Sequence, residues 1–377
     1  MFALRHFNSS ASSPLPSWGN GSAVMVEAMV TAMEQHPKEN ITAMQNQISG
    51  GIIVVLLMSL GIISNTVALF ILVNAYSLQR RRSKAPFLLF ATSLVITDFF
   101  GHLIPGALVL KLYFTGRASP EYSTDSMCQF LGGSMVFFGL CPLFMGCAMA
   151  AERCLGVTKP LLHSSLVTTT RTKVCLAAIW LAALSVALLP CFQLGSYTYQ
   201  EPKTWCFINV LHNTKEVDVA FVVLFSGLGL TSLTVALVCN TISGLTLVMV
   251  RIRRQPGSHH SARSHDIEMM VQLVGIMVTS CICWSPLLVF AVMSVIQSSS
   301  KAVGENLAYY QTLMHIGVRL ATWNQILDPW VYILLRRTVL RKIYLIVKCQ
   351  AGLEGTMTGR WEKSLFPSLD QKQVNQF

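Results

Sequence analysis

The chain has 377 residues, of which 53% are hydrophobic and only 12% are charged, and its formal net charge is +11. This balance is too apolar for an ordinary soluble globule of that length and indicates an integral membrane protein. The basic residues flank the apolar segments, where they interact with anionic inner-leaflet lipid, so the positive charge does not indicate nucleic-acid binding.

Seven uncharged or nearly uncharged segments are long enough to cross a bilayer as helices, which takes about 20 residues each. We therefore predict an all-α membrane protein whose residues 51–335 form a seven-transmembrane helix bundle. The predicted spans are residues 51–77, 85–112, 127–152, 174–197, 218–250, 269–297 and 307–335.

Lysine and arginine are concentrated in the segments that follow the odd-numbered spans. The positive-inside rule then places the N-terminus outside the cell and the C-terminus in the cytosol. Residues 1–50 are predicted to be an extracellular tail, and because no apolar signal-peptide core precedes Gly51, span one is expected to act as the signal-anchor. The tail carries three glycosylation acceptors, Asn8, Asn20 and Asn40.

Polar side chains interrupt the first two spans. Asn65 in span one needs hydrogen-bond partners and is expected to face other helices. Asp98 and His102 in span two are one turn apart and share a helix face. Tyr113 ends span two, where it is either a residue of the interfacial aromatic belt or a partner for a ligand's polar head.

Span three contains small residues such as Gly132, which let helix backbones approach closely, so we predict that it is the central helix. Cys128 opens this span and Cys206 lies in the loop after span four. Both face the oxidising compartment, which predicts a disulfide that holds the loop over the bundle mouth. Thr204 and Trp205 beside it favour a lid; a generic glycoprotein loop is the alternative.

Three spans contain an acid-base pair or a proline that bears on helix movement. Span three ends in Glu152 and Arg153, an acid-base pair whose simplest interpretation is a solvated surface pair. Pro286 beside Trp284 predicts a kink in span six, and Pro329 predicts a kink in span seven.

The segment after span seven alternates apolar and basic residues. We predict that residues 336–349 form a short cytosolic amphipathic helix on the inner leaflet and that residues 350–377 form a disordered tail. Cys349 is a candidate for lipidation, with an unmodified thiol as the alternative.

Span seven contains two ionisable residues, Arg319 and Asp328, and each is costly in lipid. Nine residues separate them, so they point to opposite sides of a helix about 13 Å apart along its axis and cannot pair. Asp98 is expected near the depth of Asp328. Either an acid elsewhere in the bundle neutralises Arg319, or its guanidinium awaits a ligand carboxylate, which it binds bidentately.

Around Arg319 the sequence offers an apolar cavity with few polar groups, which suits a lipid carboxylic acid. His315 and Thr322 lie on the same helix face as Arg319. Asp98, Asp328 and Asn65 form a separate mid-membrane cluster, which either binds a cation, with sodium as the candidate, or holds the helices in register. No other metal site is predicted.

Several motifs together resemble the rhodopsin-like G-protein-coupled receptors: Glu-Arg-Cys at 152–154, Cys-Trp-Ser-Pro at 283–286 and Asp-Pro-Trp-Val-Tyr at 328–332. The segments 101–106, 137–142, 203–207 and 323–330 are similar to those of the prostanoid receptors. Within that family the similarity is greatest to the calcium-mobilising receptors for prostaglandin E2.

The resemblance implies a role for each candidate residue. Arg319 takes the prostanoid carboxylate, helped by Tyr113 and Thr204. The pocket lining includes Trp205, His102, Met135 and Thr322. The activation switch comprises Glu152, Arg153, Trp284, Pro286, Asp98, Asn65, Asp328, Pro329 and Tyr332.

The resemblance thus implies a multi-pass plasma membrane receptor, without a cofactor, that couples prostaglandin E2 to a heterotrimeric G protein of the phospholipase C class and to calcium signalling. A prostaglandin F or thromboxane receptor and an organic-anion transporter are the alternatives. An enzyme is not expected, because no zinc or nucleophile motif is present. The transporter is disfavoured because no internal repeat is found.

Overall fold

The computed structural model describes residues 48–73, 85–115, 126–201, 203–210, 214–253, 260–299 and 307–334. The chain divides into two units, residues 1–53 and 54–377. The first unit contributes only residues 48–53 to the described part, as the opening turns of a helix, and every contact given below lies within the second unit.

The architecture is almost entirely helical. Between the fourth long helix and the fifth, the described residues also form two short strands. The helices are α1 (Ile48–Val73), α2 (Ala85–Thr115), α3 (Ser126–Thr158), α4 (Pro160–Leu166), α5 (Thr169–Ala187), α6 (Glu216–Arg253), α7 (His260–Ser299) and α8 (Leu307–Leu334), and the strands are β1 (Tyr197–Gln200) and β2 (Trp205–Ile208).

Six of the described helices are long and apolar enough to cross a membrane: α1, α2, α3, α5, α6 and, through its Met277–Ile296 part, α7. The helix α8 has 28 residues, which is sufficient length. Its composition is more polar, because Arg319, Asn324 and Asp328 replace apolar residues, so length and hydropathy alone do not mark it as a span.

The prediction for span four needs correction at its C-terminal end. The expected segment was 174–197, but α5 ends at Ala187 and a 3-10 helix follows over Leu189–Phe192. Pro190 lacks a backbone N–H and cannot continue an α-helix. Gln193 then takes a left-handed conformation, with φ of 63°, which closes the helical segment and redirects the chain toward β1.

The helix α3 is the central element, as its small residues predict. It contacts α2, α5, α6, the short helix α4 and both strands. The helix α8 packs on α7 and also reaches α2. Two further elements adjoin the central helix α3: the hairpin of β1 and β2 contacts it, and α4 follows its C-terminal end.

Neither α4 nor the hairpin was predicted as an element. The helix α4 has Pro160 in its first turn, the position where a missing N–H costs nothing. The two strands pair antiparallel, with Tyr197 opposite Ile208 and Gln200 opposite Trp205. All four residues of β2 are buried, so this strand is the inner layer of the hairpin.

Candidate functional site

The hairpin of β1 and β2 is fixed to α3 by the disulfide that the sequence predicts. Cys128 at the start of α3 and Cys206 in β2 are bonded, and their Cα atoms are 5.4 Å apart. Both cysteines are buried together with Leu112 near the end of α2 and Leu131 of α3. The hairpin therefore lies on the bundle end at which α2 ends and α3 begins, and we call this the disulfide end.

The first residue of β1, Tyr197, packs against α3 at Gly132. A Cβ atom at Gly132 would lie 2.5 Å from Cγ of Tyr197, so the absence of a side chain makes room for this ring. The Tyr197 hydroxyl donates a hydrogen bond of 2.8 Å to the carbonyl of Ala187. Burial raises the pKa of the Tyr197 phenol, which keeps the group protonated as a donor.

A buried carboxylate at the start of α6 holds both ends of the hairpin. Asp218 accepts hydrogen bonds from Ser196 Oγ at 2.7 Å and from Asn209 Nδ2 at 3.4 Å. It also accepts the backbone N–H of Lys215 at 3.0 Å, which caps the helix. One carboxylate thereby connects the residues before β1 and after β2 to the same helix terminus.

Trp205 connects the hairpin to α8. Its indole N–H donates to the carbonyl of Glu201 at 3.2 Å. Its ring meets the His315 ring edge to face, with centroids 6.1 Å apart. His315 precedes Arg319 by one helical turn, so the contact places the hairpin one turn of α8 away from Arg319.

Arg319 is half-buried in α8. Within the described ranges the ion pairs are those of Glu152 with Arg153 and with His163, and no carboxylate pairs with Arg319. An arginine side chain that is partly withdrawn from water is strongly stabilised by a carboxylate partner. The geometry thus leaves the guanidinium available to an anionic ligand.

Thr204, which precedes Trp205 in the turn between β1 and β2, is a second polar residue that lacks a partner among the described residues. It is 6% exposed, and its hydroxyl has no hydrogen-bond partner in the part of the chain that the structure describes. Buried hydroxyls are normally bonded, because an unmade hydrogen bond costs about 1–3 kcal/mol. A ligand oxygen is one way to satisfy it.

The other predicted pocket residues occupy different surroundings. Tyr113 is buried near the end of α2. Met135 packs against both the main core cluster and the small cluster at the disulfide end. The Thr322 hydroxyl donates to the Val318 carbonyl at 2.9 Å. His102 lies against α1, because a side chain at Gly61 would overlap its imidazole ring. The place of His102 in the pocket lining stays a prediction.

The predicted mid-membrane polar cluster consists of Asn65, Asp98 and Asp328. Asp98 is fully buried, and both its oxygens are without a hydrogen-bond partner among the described residues. One oxygen of Asp328 accepts from Asn324 Nδ2 at 2.8 Å. The described residues hold no group of three or more metal-ligating side chains, and sodium binding stays a prediction.

Gln325 of α8 connects this cluster to α1 and α3, and it is not among the residues singled out from the sequence. Asn65 Nδ2 donates to the Gln325 carbonyl at 3.1 Å and to the Gly61 carbonyl at 3.0 Å. The Gln325 side chain donates to the carbonyl of Phe138 at 2.9 Å. The signal was available, since a buried amide in a membrane helix needs partners just as Asn65 does.

The other predicted switch residues lie in α3, α7 and α8. Trp284 is buried in α7 and faces α3, where a Cβ at Gly139 would lie 3.1 Å from its ring. Pro286 and Pro329 are inside α7 and α8. Glu152 and Arg153 are paired at 3.2 Å, and with Glu152 8% exposed they are not the solvated surface pair of the simplest interpretation.

The remaining predicted sites lie outside the described residues. They are the acceptors Asn8, Asn20 and Asn40, the amphipathic helix 336–349 with Cys349, the tail 350–377 and, although its backbone continues α8, the side chain of Tyr332.

Comparison with known proteins agrees with this arrangement. Residues 65–332 match the family model of the 7 transmembrane receptor (rhodopsin family). The dog prostaglandin E2 receptor EP1 subtype is 45% identical over 356 residues, with 81% of this chain and 86% of the relative covered. The human EP1 subtype is 42% identical, with 85% and 90% covered. The rat prostaglandin F2-alpha receptor is 43% identical, with 82% and 83% covered.

Among solved structures, the crystal structure of squid rhodopsin is similar with a TM-score of 0.64. The match covers 81% of this chain and 87% of the rhodopsin chain. At 15% sequence identity, this likeness concerns the fold alone.

Proposed function

The chain belongs to the rhodopsin family of seven-transmembrane receptors and, within it, to the prostaglandin receptors, and from this membership we propose that it is a cell-surface receptor for prostaglandin E2. It is a multi-pass plasma membrane protein and not an enzyme. It therefore performs no chemistry: an agonist shifts a conformational equilibrium through its differential affinity for the active state.

The observation that carries the ligand class is Arg319, which has no carboxylate partner within the described residues. The hairpin that contacts its helix through Trp205 and His315 carries the Thr204 hydroxyl, which has no hydrogen-bond partner in that same part of the chain. Arginine binds a carboxylate through two parallel hydrogen bonds and stays charged when it is desolvated. The Arg319 guanidinium and the Thr204 hydroxyl can both donate hydrogen bonds to an anionic oxygen. Together with apolar surroundings that include Met135, they fit an amphipathic acid. Tyr113, Trp205, His102 and Thr322 complete the proposed pocket.

The proposed choice of prostaglandin E2 is supported by the dog and human relatives named for it. The prostaglandin F2-alpha receptors are nearly as similar, so a receptor for prostaglandin F2α is the second candidate. The two ligands share the carboxylate and both chains and differ at one ring oxygen, which accepts in one and also donates in the other.

We propose the finer assignments on the same basis. The disulfide end faces outward with the N-terminus, because the basic segments follow the odd-numbered spans. The Glu152 and Arg153 end then faces the cytosol and a G protein of the phospholipase C class. The basic cytosolic segments contact anionic inner-leaflet lipid.

The testing experiment is a calcium response in cells that express the chain, with prostaglandin E2, prostaglandin F2α and the methyl ester of each. We expect the parent to respond to prostaglandin E2 at the lowest concentration and to prefer the acids over the esters. In Arg319→Ala the affinity for the acids should fall about 30-fold or more, since truncating one partner of a buried charge pair costs about 2 kcal/mol or more.

Arg319→Lys is the matched variant, because it keeps the charge and loses the planar fork. Its affinity should lie between those of the parent and Arg319→Ala. If Arg319→Ala reaches the surface and binds acid as tightly as the parent, Arg319 does not hold the carboxylate. Saturable uptake of labelled prostanoid without a G-protein response would favour the transporter.

A further inference from the structure

The carboxylate of Glu152 contacts two side chains, the guanidinium of Arg153 and the imidazole of His163. Its Oε2 lies 3.2 Å from Nε of Arg153, and its Oε1 lies 2.8 Å from Nε2 of His163. An ionised carboxylate only accepts, so His163 Nε2 is the donor in the shorter contact. Glu152 is buried, which strengthens both interactions relative to a solvated pair.

His163 also connects α4 to α3. None of the residues of α4 is buried, so this helix has no apolar face that packs it against the bundle. The imidazole rests against α3 at Gly156, where a Cβ would lie 3.4 Å from its Cδ2 atom. At the other end of α4, Arg171 donates to the carbonyls of Ser165 and Leu166 at 3.3 and 3.4 Å.

Arg153 is restrained from a second side. Its guanidinium carbon lies 3.8 Å from the centroid of the Phe87 ring in the first turn of α2. A guanidinium over an aromatic face is attracted by the ring's electrons. The guanidinium therefore has a carboxylate on one side and a ring on the other, and the carboxylate is also held by His163.

We propose that His163 is a positioning residue of the resting state. By fixing one oxygen of Glu152 it turns the other oxygen toward Arg153, and it couples the position of α4 to the release of Arg153. This inference rests on the proposed function as a G-protein-coupled receptor. A carboxylate that has lost one of two partners rotates more freely about its terminal torsion, which weakens its hold on the remaining partner.

The test compares two variants that separate the donor from the ring. His163→Phe keeps a planar ring to pack against Gly156 and removes the N–H, whereas His163→Gln keeps an N–H donor without the ring. At matched surface expression we expect agonist-independent nucleotide exchange on G protein to rise about threefold to tenfold in His163→Phe. It should return to near the parent value in His163→Gln.

Ser164→Ala is the control, because Ser164 is an exposed residue of α4 whose hydroxyl donates only to the nearby carbonyl of Leu161. It should leave basal exchange unchanged. A double variant distinguishes positioning from a general loosening of α4: in a Glu152→Gln background, His163→Phe should add less than twofold, because the carboxylate that His163 orients is already absent. If His163→Phe is poorly expressed, His163→Leu provides the same loss of the donor.

Unchanged basal exchange in both donorless variants, or full additivity with Glu152→Gln, overturns the proposal. The readout needs no prostanoid, so it is separate from the ligand assignment. If the parent responds to prostaglandin E2 and the His163 variants have the same basal exchange as the parent, the proposed function is retained and this inference is lost. If the parent ignores prostanoids but His163→Phe raises basal exchange above the parent value, this inference is retained and the proposed ligand is lost.

Discussion

The indole of Trp205 in the hairpin and the imidazole of His315 in α8 are in contact edge to face, with ring planes at 89°. His315 is one turn from Arg319, and Trp205 is adjacent to Cys206, which the disulfide ties to α3. The pair thus joins the hairpin to the helix that carries the proposed ligand anchor.

The first prediction concerns this pair. Trp205→Leu should weaken prostaglandin E2 binding about tenfold and speed ligand dissociation, because an aromatic pair contributes about 0.5–1.5 kcal/mol beyond the area it buries. Trp205→Phe keeps an aromatic edge contact, loses only the N–H that donates to Glu201, and should lose less. Dissociation of a radiolabelled ligand from membranes measures both. Equal rates in the two variants would show that the contact with His315 does not hold the lid.

The second prediction concerns the Thr204 hydroxyl. Thr204→Val is isosteric and removes a buried oxygen that has no partner within the described residues, so the unliganded receptor should melt at an unchanged or slightly higher temperature. Affinity for the prostanoid acid should fall about tenfold, since a hydrogen bond to a charged group contributes about 1.5–3 kcal/mol. Affinity for the methyl ester should change less. A melting temperature that falls in the unliganded state would mean that the hydroxyl is bonded within the protein.

The third prediction uses two adjacent glycines of α3. Gly132→Ala places a Cβ 2.5 Å from Tyr197 Cγ, at the root of a ring whose hydroxyl is bonded to Ala187. We expect misplacement of the hairpin, a loss of about 1–3 kcal/mol from overpacking and reduced surface expression. Gly133→Ala meets its nearest atom at 3.6 Å and should be tolerated or slightly stabilising, because alanine favours the helix. Surface labelling and binding on the same cells compare the two.

The fourth prediction concerns the contact of α1 with α2. Gly61→Ala would overlap the His102 ring, which is buried and cannot move into solvent. The carbonyl of Gly61 also accepts from Asn65, so the displacement should reach the polar cluster. We expect the melting temperature of the detergent-solubilised receptor to fall by several degrees. Gly146→Ala, where a Cβ meets nothing within 4 Å, is the control, and the same melting temperature in both would refute the close approach.

Much of the fold follows from local sequence properties. Apolar length identified the helices to within a few residues at most ends, because crossing a bilayer is a property of each segment alone. The outer end of α5 was misplaced because the residues after Ala187 remain apolar, and only Pro190 marks the break. Arg319 stood out because a guanidinium is costly in lipid wherever its neighbours lie. The disulfide followed from two cysteines at one face.

The structure decided which side chains meet across elements. Helical periodicity assigns a residue to a face, but the neighbour on that face depends on how the helices rotate and cross, which is a property of the whole packed bundle. For this reason the sequence did not indicate that Gln325 bonds α3, that Asp218 holds both ends of the hairpin, or that His163 reaches Glu152. By itself the sequence determined the spans, the disulfide and the candidacy of Arg319 as the ligand anchor. Only the tertiary structure decided the partners, because these contacts join different elements, and the relative placement of those elements depends on the packing of the whole bundle.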